Sequence, residues 1–239
     1  MKFIREQLGE LVGKALAPVV QKISAARKAR TFHPDGLVFR ARVEALSDLG
    51  EKLSGSALVR CSGALWKRGP QLPDVLGVAV RFRSGHSTSP EVELGDQDLL
   101  FATIVSPLTM PLSALTTDVG DFSHNHFWAV SPFDVRHSGR VKFRLSPGFQ
   151  TSHPGTREQR LREAVERGVA AFTLELRQTW TLGWQPIARI ALEKELTIDQ
   201  AALHFSAFND GKGFEPRGFV HALRKAVYPA SQEGRPAHA

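Results

Sequence analysis

A series of short segments in which apolar and polar residues alternate constrains the fold more than any other feature. In Leu37–Leu46 apolar side chains occupy every second position, with charged residues between most of them. Related segments follow at Ala57–Leu65, Val75–Arg83, Leu99–Val105, Val141–Leu145, Ala170–Thr181, Ile187–Leu196 and Ala202–Phe208. Alternation with a period of two is typical of half-buried strands, and Gly, Pro and Ser clusters separate these segments. Eight such strands predict a mainly β, α+β protein built on an eight-stranded antiparallel barrel.

Helical spacing appears in the segments around these strands. Apolar residues from Ile4 to Ile23 recur every three or four positions, which predicts an amphipathic helix over residues 3–28. We expect residues 1–29 to pack on or beside a single barrel domain of residues 30–239; a membrane-surface or partner-binding role is the alternative. Further helical segments are predicted at 108–122 (in part), Gly155–Gly168 and Pro216–Val227.

Composition limits the classes of function. A chain of 239 residues with 42% apolar content can bury one substantial core. The net charge of +7 comes from basic residues spread along the chain, so no specific nucleic acid partner is expected. A single cysteine, Cys61, rules out an intrachain disulfide framework. Charges at Arg5, Glu6, Glu10 and Lys14 interrupt any apolar run, so we expect no signal peptide, no transmembrane segment and a cytoplasmic location.

Tyr228 is the only tyrosine in the chain, and it follows Arg224 by four residues. In a helix this spacing places the guanidinium near the phenol ring. A neighbouring positive charge favours the phenolate form and lowers the phenol pKa. Phenolate is one of the side-chain ligands that hold haem iron, so the pair is a candidate metal site. A partly buried tyrosine at the end of a helix that stops at Pro229 is the alternative.

A second group of candidate residues lies at the start of the barrel. Alternation in the second strand places Arg60 and Ser62 on one face, which we expect to point into the barrel, and Cys61 on the other. A buried arginine needs an anionic partner, which is either a carboxylate such as Glu44 or Glu93 or an anionic ligand. His33, just before the first strand, is a candidate proton-transfer group or a surface turn residue.

Five motifs occur in an order that resembles the haem-dependent catalase family, in a short form that keeps the barrel without the large helical domain. They are Arg30-x-x-His33, Val59-Arg60-Cys61-Ser62, Leu76-Gly-Val-Ala-Val80-Arg-Phe, Asp98-Leu-Leu-Phe101, and Arg224-x-x-x-Tyr228-Pro229 with Arg235. The correspondence covers residues 30–105 and 216–236, and the middle of the chain matches only by its number of strands.

The resemblance implies haem b as the cofactor and a peroxide as the substrate. Tyr228 would be the iron ligand, and Arg224 would keep it in the phenolate form. His33 would accept and return the proton of the peroxide, and Ser62 would hold the ring of His33 by a hydrogen bond. An organic electron donor is a candidate second substrate, and a homo-oligomer is compatible with the sequence.

The resemblance also implies how the haem would be held. Arg30, Arg60 and Arg235 would neutralise the propionates, and Phe101 would pack against the porphyrin face. Gln97 is the candidate amide of the distal pocket, because the family has an asparagine close to this position.

This distal segment departs from the family, since Asp96 precedes Gln97 and would add a negative charge. We therefore expect a peroxidase or a weak catalase acting on hydrogen peroxide or organic hydroperoxides. One alternative is a haem enzyme that rearranges fatty-acid hydroperoxides, as allene oxide synthases do. Another is a non-catalytic haem-binding barrel. His124 and His126 have the alternate spacing of a zinc site, but no third ligand is evident.

Overall fold

The computed structural model describes residues 36–64, 72–106, 109, 112–129, 131–135, 138–152, 154–200 and 202–217. The predicted N-terminal helix therefore lies outside the described residues, as does the segment after Arg217. The same holds for the predicted site residues Arg30, His33, Arg224, Tyr228 and Arg235.

Most of the regular structure in the described residues is β. The strands are β1 (Gly36–Ala45), β2 (Gly55–Gly63), β3 (Leu76–Phe82), β4 (Gln97–Ala102), β5 (Phe127–Trp128), β6 (Phe133–Val135), β7 (Gly139–Pro147), β8 (Ala171–Gln178), β9 (Gln185–Glu195) and β10 (Phe214–Pro216). The helices are α1 (Asp48–Glu51), α2 (Ser113–Thr116) and α3 (Arg157–Glu166), and Phe122–His124 forms a 3-10 turn.

Eight of these strands close into an antiparallel barrel. Their order is β7-β5-β4-β3-β2-β1-β9-β8, and pairing of β8 with β7 closes the ring. Strands β6 and β10 extend the sheet from the edge of β7 that also pairs with β5. The predicted eight-stranded antiparallel barrel is therefore confirmed.

Apolar side chains fill the interior of the barrel. The residues at alternate positions of β1, such as Phe39 and Val43, point into this core, whereas Arg40 and Arg42 point outward. Six wholly buried phenylalanines dominate the interior: Phe39, Phe82, Phe127, Phe143, Phe172 and Phe214. An eight-stranded barrel is just wide enough for side chains to fill it, and these phenylalanines occupy that space.

The predicted charged helix is confirmed as α3, and its start has a local cause. Thr156 Oγ1 accepts a hydrogen bond from the backbone N–H of Gln159, and Gln159 Oε1 accepts one from the backbone N–H of Thr156. This capping box satisfies donors that the first turn leaves unpaired. Leu161 and Ala164 then bury one face of α3.

One predicted strand and the start of one predicted helix were wrong. Ala202–Phe208 contains no strand among its described residues, although Leu203 and Ala207 are buried and Phe205 between them is half-buried. Leu203 instead joins Val38 and Leu58 in an apolar cluster on the outside of the barrel. The chain pairs with the start of β4 just after this segment, at Asp210. The eighth barrel strand is instead β5, which has only two residues. The last predicted helix does not begin at Pro216, because that residue ends β10.

Candidate functional site

The side chains of Arg60 and Ser62 lie on the outer face of the barrel. Cys61, between them in β2, belongs to the interior core, so alternation turns its two neighbours outward. The prediction that Arg60 and Ser62 share a face is confirmed, but the prediction that they point into the barrel was wrong. The apolar packing of the interior is the physical reason, because it leaves the charged side chain to the outside.

The guanidinium of Arg60 is held in a defined position. The residue is 4% exposed, and its Nη1 donates to Ser62 Oγ at 3.2 Å. Its Nε and Nη2 both lie 3.3 Å from Gln200 Oε1, and Gln200 Nε2 donates to the carbonyl of Gly36 at 2.5 Å. Glu44, one of the predicted partners, instead lies 3.3 Å from Arg189. The contacts of Arg60 thus connect β1, β2 and Gln200.

Small and apolar residues continue this surface across the neighbouring strands. The row of Arg60 continues through Ala79 and Leu100, and the row of Ser62 continues through Gly77 and Ala102. Ala79, Leu100 and Ala102 are half-buried, so part of this row remains accessible. The result is an apolar surface that borders the buried guanidinium of Arg60. We call these six residues the outer floor.

A segment that we call the strap (residues 196–200 and 202–209) covers the adjoining part of the outer face. Its apolar side chains pack on Val38 and Leu58, and they are Leu196, Ile198, Leu203 and Phe205. Gln200, which contacts Arg60, belongs to the same segment. The strap therefore forms one border of the outer floor.

A buried ion pair attaches the strap to the barrel. Arg81 Nε lies 2.8 Å from Asp98 Oδ1, and Arg81 Nη2 lies 2.9 Å from Asp98 Oδ2, with both side chains wholly buried. Asp98 Oδ2 also accepts from the backbone N–H of Ser206 at 2.9 Å and from Asn209 Nδ2 at 2.8 Å. Arg81 in turn donates to the carbonyl of His204. These contacts hold the strap against β3 and β4.

Gln97 is not available as the amide of a distal pocket. Its Nε2 donates to the carbonyls of Asn209 at 3.0 Å and Phe214 at 3.2 Å, and its Oε1 accepts from the N–H of Phe214 at 3.2 Å. Gln97 also lies five residues before Ala102 in β4. Because Ala102 is in the row of Ser62, Gln97 is about 17 Å from that row. The structure therefore does not bring Gln97 to Arg60 and Ser62. Its amide satisfies the backbone of the chain segment that crosses this end of the barrel.

Phe101 is also separated from the outer floor. It belongs to the interior core, in the same row as Cys61 and Val78. Arg60 and Ser62 lie on the opposite face of this sheet, so the structure does not bring Phe101 into contact with a ligand on the outer floor. The ring of Phe101 packs behind that floor, within the barrel.

Asp96 carries no uncompensated charge into the site. Its Oδ2 lies 2.6 Å from Arg83 Nη1, and both side chains are wholly buried. The same oxygen accepts from the backbone N–H of Glu93 at 2.8 Å. The expected negative charge beside Gln97 is thus neutralised within the loop that precedes β4.

The thiol of Cys61 is kept in its neutral form. Burial raises its pKa from 9.0 to about 12, although the charge of Arg60 opposes the shift. The reactive form of cysteine is the thiolate, so this side chain is inert near neutral pH.

The two histidines with alternate spacing make separate contacts. His124 Nδ1 lies 2.8 Å from Asp118 Oδ2, whereas the ring of His126 packs edge-on against Trp128. Within the described ranges no group of three or more His, Cys, Asp or Glu side chains is arranged to hold a metal ion. This finding does not bear on Tyr228, which lies outside those ranges.

No protein-family model matches the chain, and no curated protein matches it. In the part of the chain that the structure describes, no helix has the length and apolar character needed to cross a bilayer.

Sequence reasoning missed two parts of this surface. Arg81 and Asp98 are charged residues within otherwise apolar strands, and that signal points to a buried ion pair. The contact of Gln200 with Arg60 has no comparable signal, because 140 residues separate them in sequence.

Proposed function

We propose that this chain is a haem-dependent peroxidase, or a weak catalase, that acts on hydrogen peroxide or organic hydroperoxides. The observation that carries the proposal is the register of β1 and β2, in which Gly36 pairs with Ser62. His33 precedes Gly36 by three residues, so covalent geometry limits the distance between their Cα atoms to about 11 Å. The register thus supports His33 and Ser62 as members of one site.

The outer floor suits a flat anionic cofactor such as haem b. Ala79 and Ala102 carry only methyl groups and Gly77 has no side chain, so these three positions would offer a planar ring few obstructing side-chain atoms. The guanidinium of Arg60 is a suitable partner for a propionate at the edge of this floor. Arg30 and Arg235 are the further cations of the proposal. Because Phe101 and Gln97 lie elsewhere, neither has a role in it.

The proposed iron ligand is Tyr228, with Arg224 maintaining its phenolate form. Haem, when bound, would supply an iron at which a hydroperoxide can coordinate. Both residues follow Arg217, the last described residue, and their assignment depends on the Arg224-x-x-x-Tyr228-Pro229 motif. This part of the proposal is tested directly by the absorption spectrum below.

The residues of the chain would move the peroxide proton. The imidazole of His33 would accept it from the bound hydroperoxide and return it to the departing oxygen. Ser62 Oγ accepts a hydrogen bond from Arg60 Nη1, so its own proton points away from the guanidinium, as donation to an imidazole nitrogen requires. Such a hydrogen bond would select one tautomer of His33.

Thiol chemistry is a poor alternative for peroxide reduction by this chain. Cys61 is its only cysteine, it is buried in the barrel core, and its pKa is raised to about 12. A thiol peroxidase needs an accessible thiolate at neutral pH. The burial of Cys61 therefore supports a proposal based on a cofactor.

An absorption spectrum tests the cofactor assignment. Wild type reconstituted with haemin is expected to give a Soret band that titrates to one equivalent, and Tyr228→Phe is expected to weaken or abolish it. No spectral change is expected for the control Ser54→Ala, which lies in the α1–β2 connection. Folded wild type without a specific haem spectrum would end the proposal.

Peroxide turnover tests the role of His33. His33→Gln is expected to lower kcat/KM by about 10²–10⁴-fold while haem remains bound. The matched control is His86→Gln, since His86 is exposed in the β3–β4 connection. Unchanged turnover with haem retained would instead indicate a non-catalytic haem-binding barrel. Conversion of a lipid hydroperoxide without consumption of an electron donor would indicate a rearranging enzyme.

A further inference from the structure

The connection between β8 and β9 exposes two large apolar side chains. We call residues 179–184 the hairpin tip. Trp180 and Leu182 in this tip are each 94% exposed. Single exposed apolar residues are common on protein surfaces, but two large ones in one six-residue turn are characteristic of an interaction site.

The base of the hairpin tip is anchored to the barrel. The ring of Trp184 contacts two guanidinium groups, with the Cζ atoms of Arg144 and Arg177 at 4.6 and 4.8 Å from its centroid. The N–H and hydroxyl of Thr179 donate to the carbonyl of Arg140 at 3.2 and 3.0 Å. These contacts fix the base on β7 and β8 and leave Trp180 projecting into solvent.

Three basic residues lie beside the base of the hairpin tip, on the outer face of β7 and β8. In the register of β7 and β8, Lys142 pairs with Arg177, and Arg140 precedes Lys142 by two residues on the same face. Arg140 and Lys142 are exposed, and neither forms a salt bridge with a carboxylate of the described chain. Asp134, which pairs with Arg140 in the sheet, has its carboxylate 3.4 Å from Arg217. We call Arg140, Lys142 and Arg177 the cationic collar.

A third exposed apolar side chain lies at the same end of the barrel. Every second strand of a closed antiparallel barrel has the same direction, so β4 and β9 begin at one end. Leu94, which is wholly exposed, precedes β4 by three residues, and the hairpin tip directly precedes β9. This end therefore presents apolar side chains from two connections.

We propose that this end of the barrel docks on an anionic phospholipid surface. Trp180 and Leu182 enter the headgroup region, where amphipathic tryptophan rings are favoured. The cationic collar lies one to two residue pairs behind them, at the depth of the lipid phosphates, and the net charge of +7 adds long-range attraction. An apolar tip with a cationic border matches both parts of such an interface, whereas the cations of the collar would repel one another in an isologous dimer.

Vesicle sedimentation of the full chain tests the hairpin tip. Wild type is expected to bind vesicles of phosphatidylglycerol and phosphatidylcholine much better than vesicles of phosphatidylcholine alone. Trp180→Ala combined with Leu182→Ser is expected to lower the partition coefficient at least about tenfold. Leu112→Ser combined with Leu115→Ser removes two exposed leucines from the β4–β5 connection and is expected to leave partitioning unchanged.

The cationic collar is tested by a second variant. Arg140→Gln combined with Lys142→Gln is expected to abolish the preference for anionic vesicles. Raising the ionic strength is expected to have the same effect on wild type. Equal binding to both vesicle types, no binding, or wild-type binding by the tip variant would each overturn the proposal. The proposal would also be overturned if wild type formed a dimer in sedimentation equilibrium, if the tip substitutions dissociated that dimer, and if wild type did not bind vesicles.

Discussion

Replacing Asp98 with alanine is expected to destabilise the fold by separating the strap from the barrel. The substitution leaves the wholly buried guanidinium of Arg81 without the carboxylate that contacts it at 2.8 and 2.9 Å. Removing one partner of a buried ion pair costs about 3–5 kcal/mol, because the remaining charge stays in a low-dielectric environment. Ser206 and Asn209 also lose their acceptor on the barrel.

The loss of the two hydrogen bonds to the strap lowers the free energy of unfolding by less than the usual contribution of two such bonds. A hydrogen bond of this kind contributes about 1 kcal/mol. The donors on Ser206 and Asn209 belong to half-buried residues, so water replaces part of the interaction once the strap moves. We therefore expect the free energy of unfolding to fall by about 4 kcal/mol in total.

Urea unfolding followed by tryptophan fluorescence measures this change. The chain has four tryptophans, and the midpoint is expected to fall with little change in the dependence on urea. Glu193→Ala is the control, since its exposed contact with Arg40 at 3.1 Å contributes at most about 1 kcal/mol. Limited proteolysis is expected to cleave the strap of the Asp98→Ala variant first.

A second variant separates the charge effect from general damage to the core. Replacing both members of the pair, as Arg81→Met with Asp98→Leu, removes the uncompensated charge and is expected to recover most of the lost stability. The reasoning would be refuted by a loss of less than about 1 kcal/mol for Asp98→Ala. It would also be refuted if the double variant were as unstable as the single one.

Two further predictions concern buried positions. Because burial raises the pKa of Cys61 from 9.0 to about 12, the folded chain keeps this proton after the unfolded chain has lost it. The contribution of this group to the free energy of unfolding is fully present below pH 9.0. It falls as the pH rises towards about 12, by up to about 1.4 kcal/mol per pH unit. The free energies of unfolding of wild type and Cys61→Ala, measured by urea titration, should therefore depend differently on pH in this range. The same pH dependence for both proteins would contradict the prediction. Gly50→Ala places its Cβ 1.8 Å from the carbonyl oxygen of Ile187 and is expected to lower stability by about 1–3 kcal/mol, measured as a fall in Tm. Gly85→Ala meets no atom within 4 Å and serves as the control; an equal effect of both substitutions would contradict the packing argument.

Local patterns in the sequence were sufficient to find most of the barrel. The alternation of Leu37–Leu46 corresponds to β1, and the charged segment Gly155–Gly168 contains α3. Both follow from interactions within a few residues, namely the side-chain period of a strand and the capping box of a helix. The errors have the same origin, because the strap alternates like a strand without pairing, and the two-residue strand β5 is too short to produce a period.

For the candidate site residues, the sequence predicted only which of them share a face of a strand. Arg60 and Ser62 lie together as the alternation of β2 requires, and they are in direct contact. The same alternation did not reveal that Gln97 and Phe101 lie on the interior face, away from that pair. A motif order that resembles a family identifies residue types, but it carries no information about which side of the sheet each one occupies.

The sequence by itself determined the period of each strand, the residues that share a face, and the single Tyr228 and Cys61 on which the chemical proposals depend. Only the tertiary structure decided which face is the interior, because that depends on the closure of β8 on β7 and on the phenylalanines that fill the enclosed volume. Closure placed Arg60 outside, buried Cys61, and left the strap to cover the outer face. Hydrogen bonding then assigned Gln97 to the backbone at one end of the barrel, since a buried amide takes the partners that the folded chain brings to it.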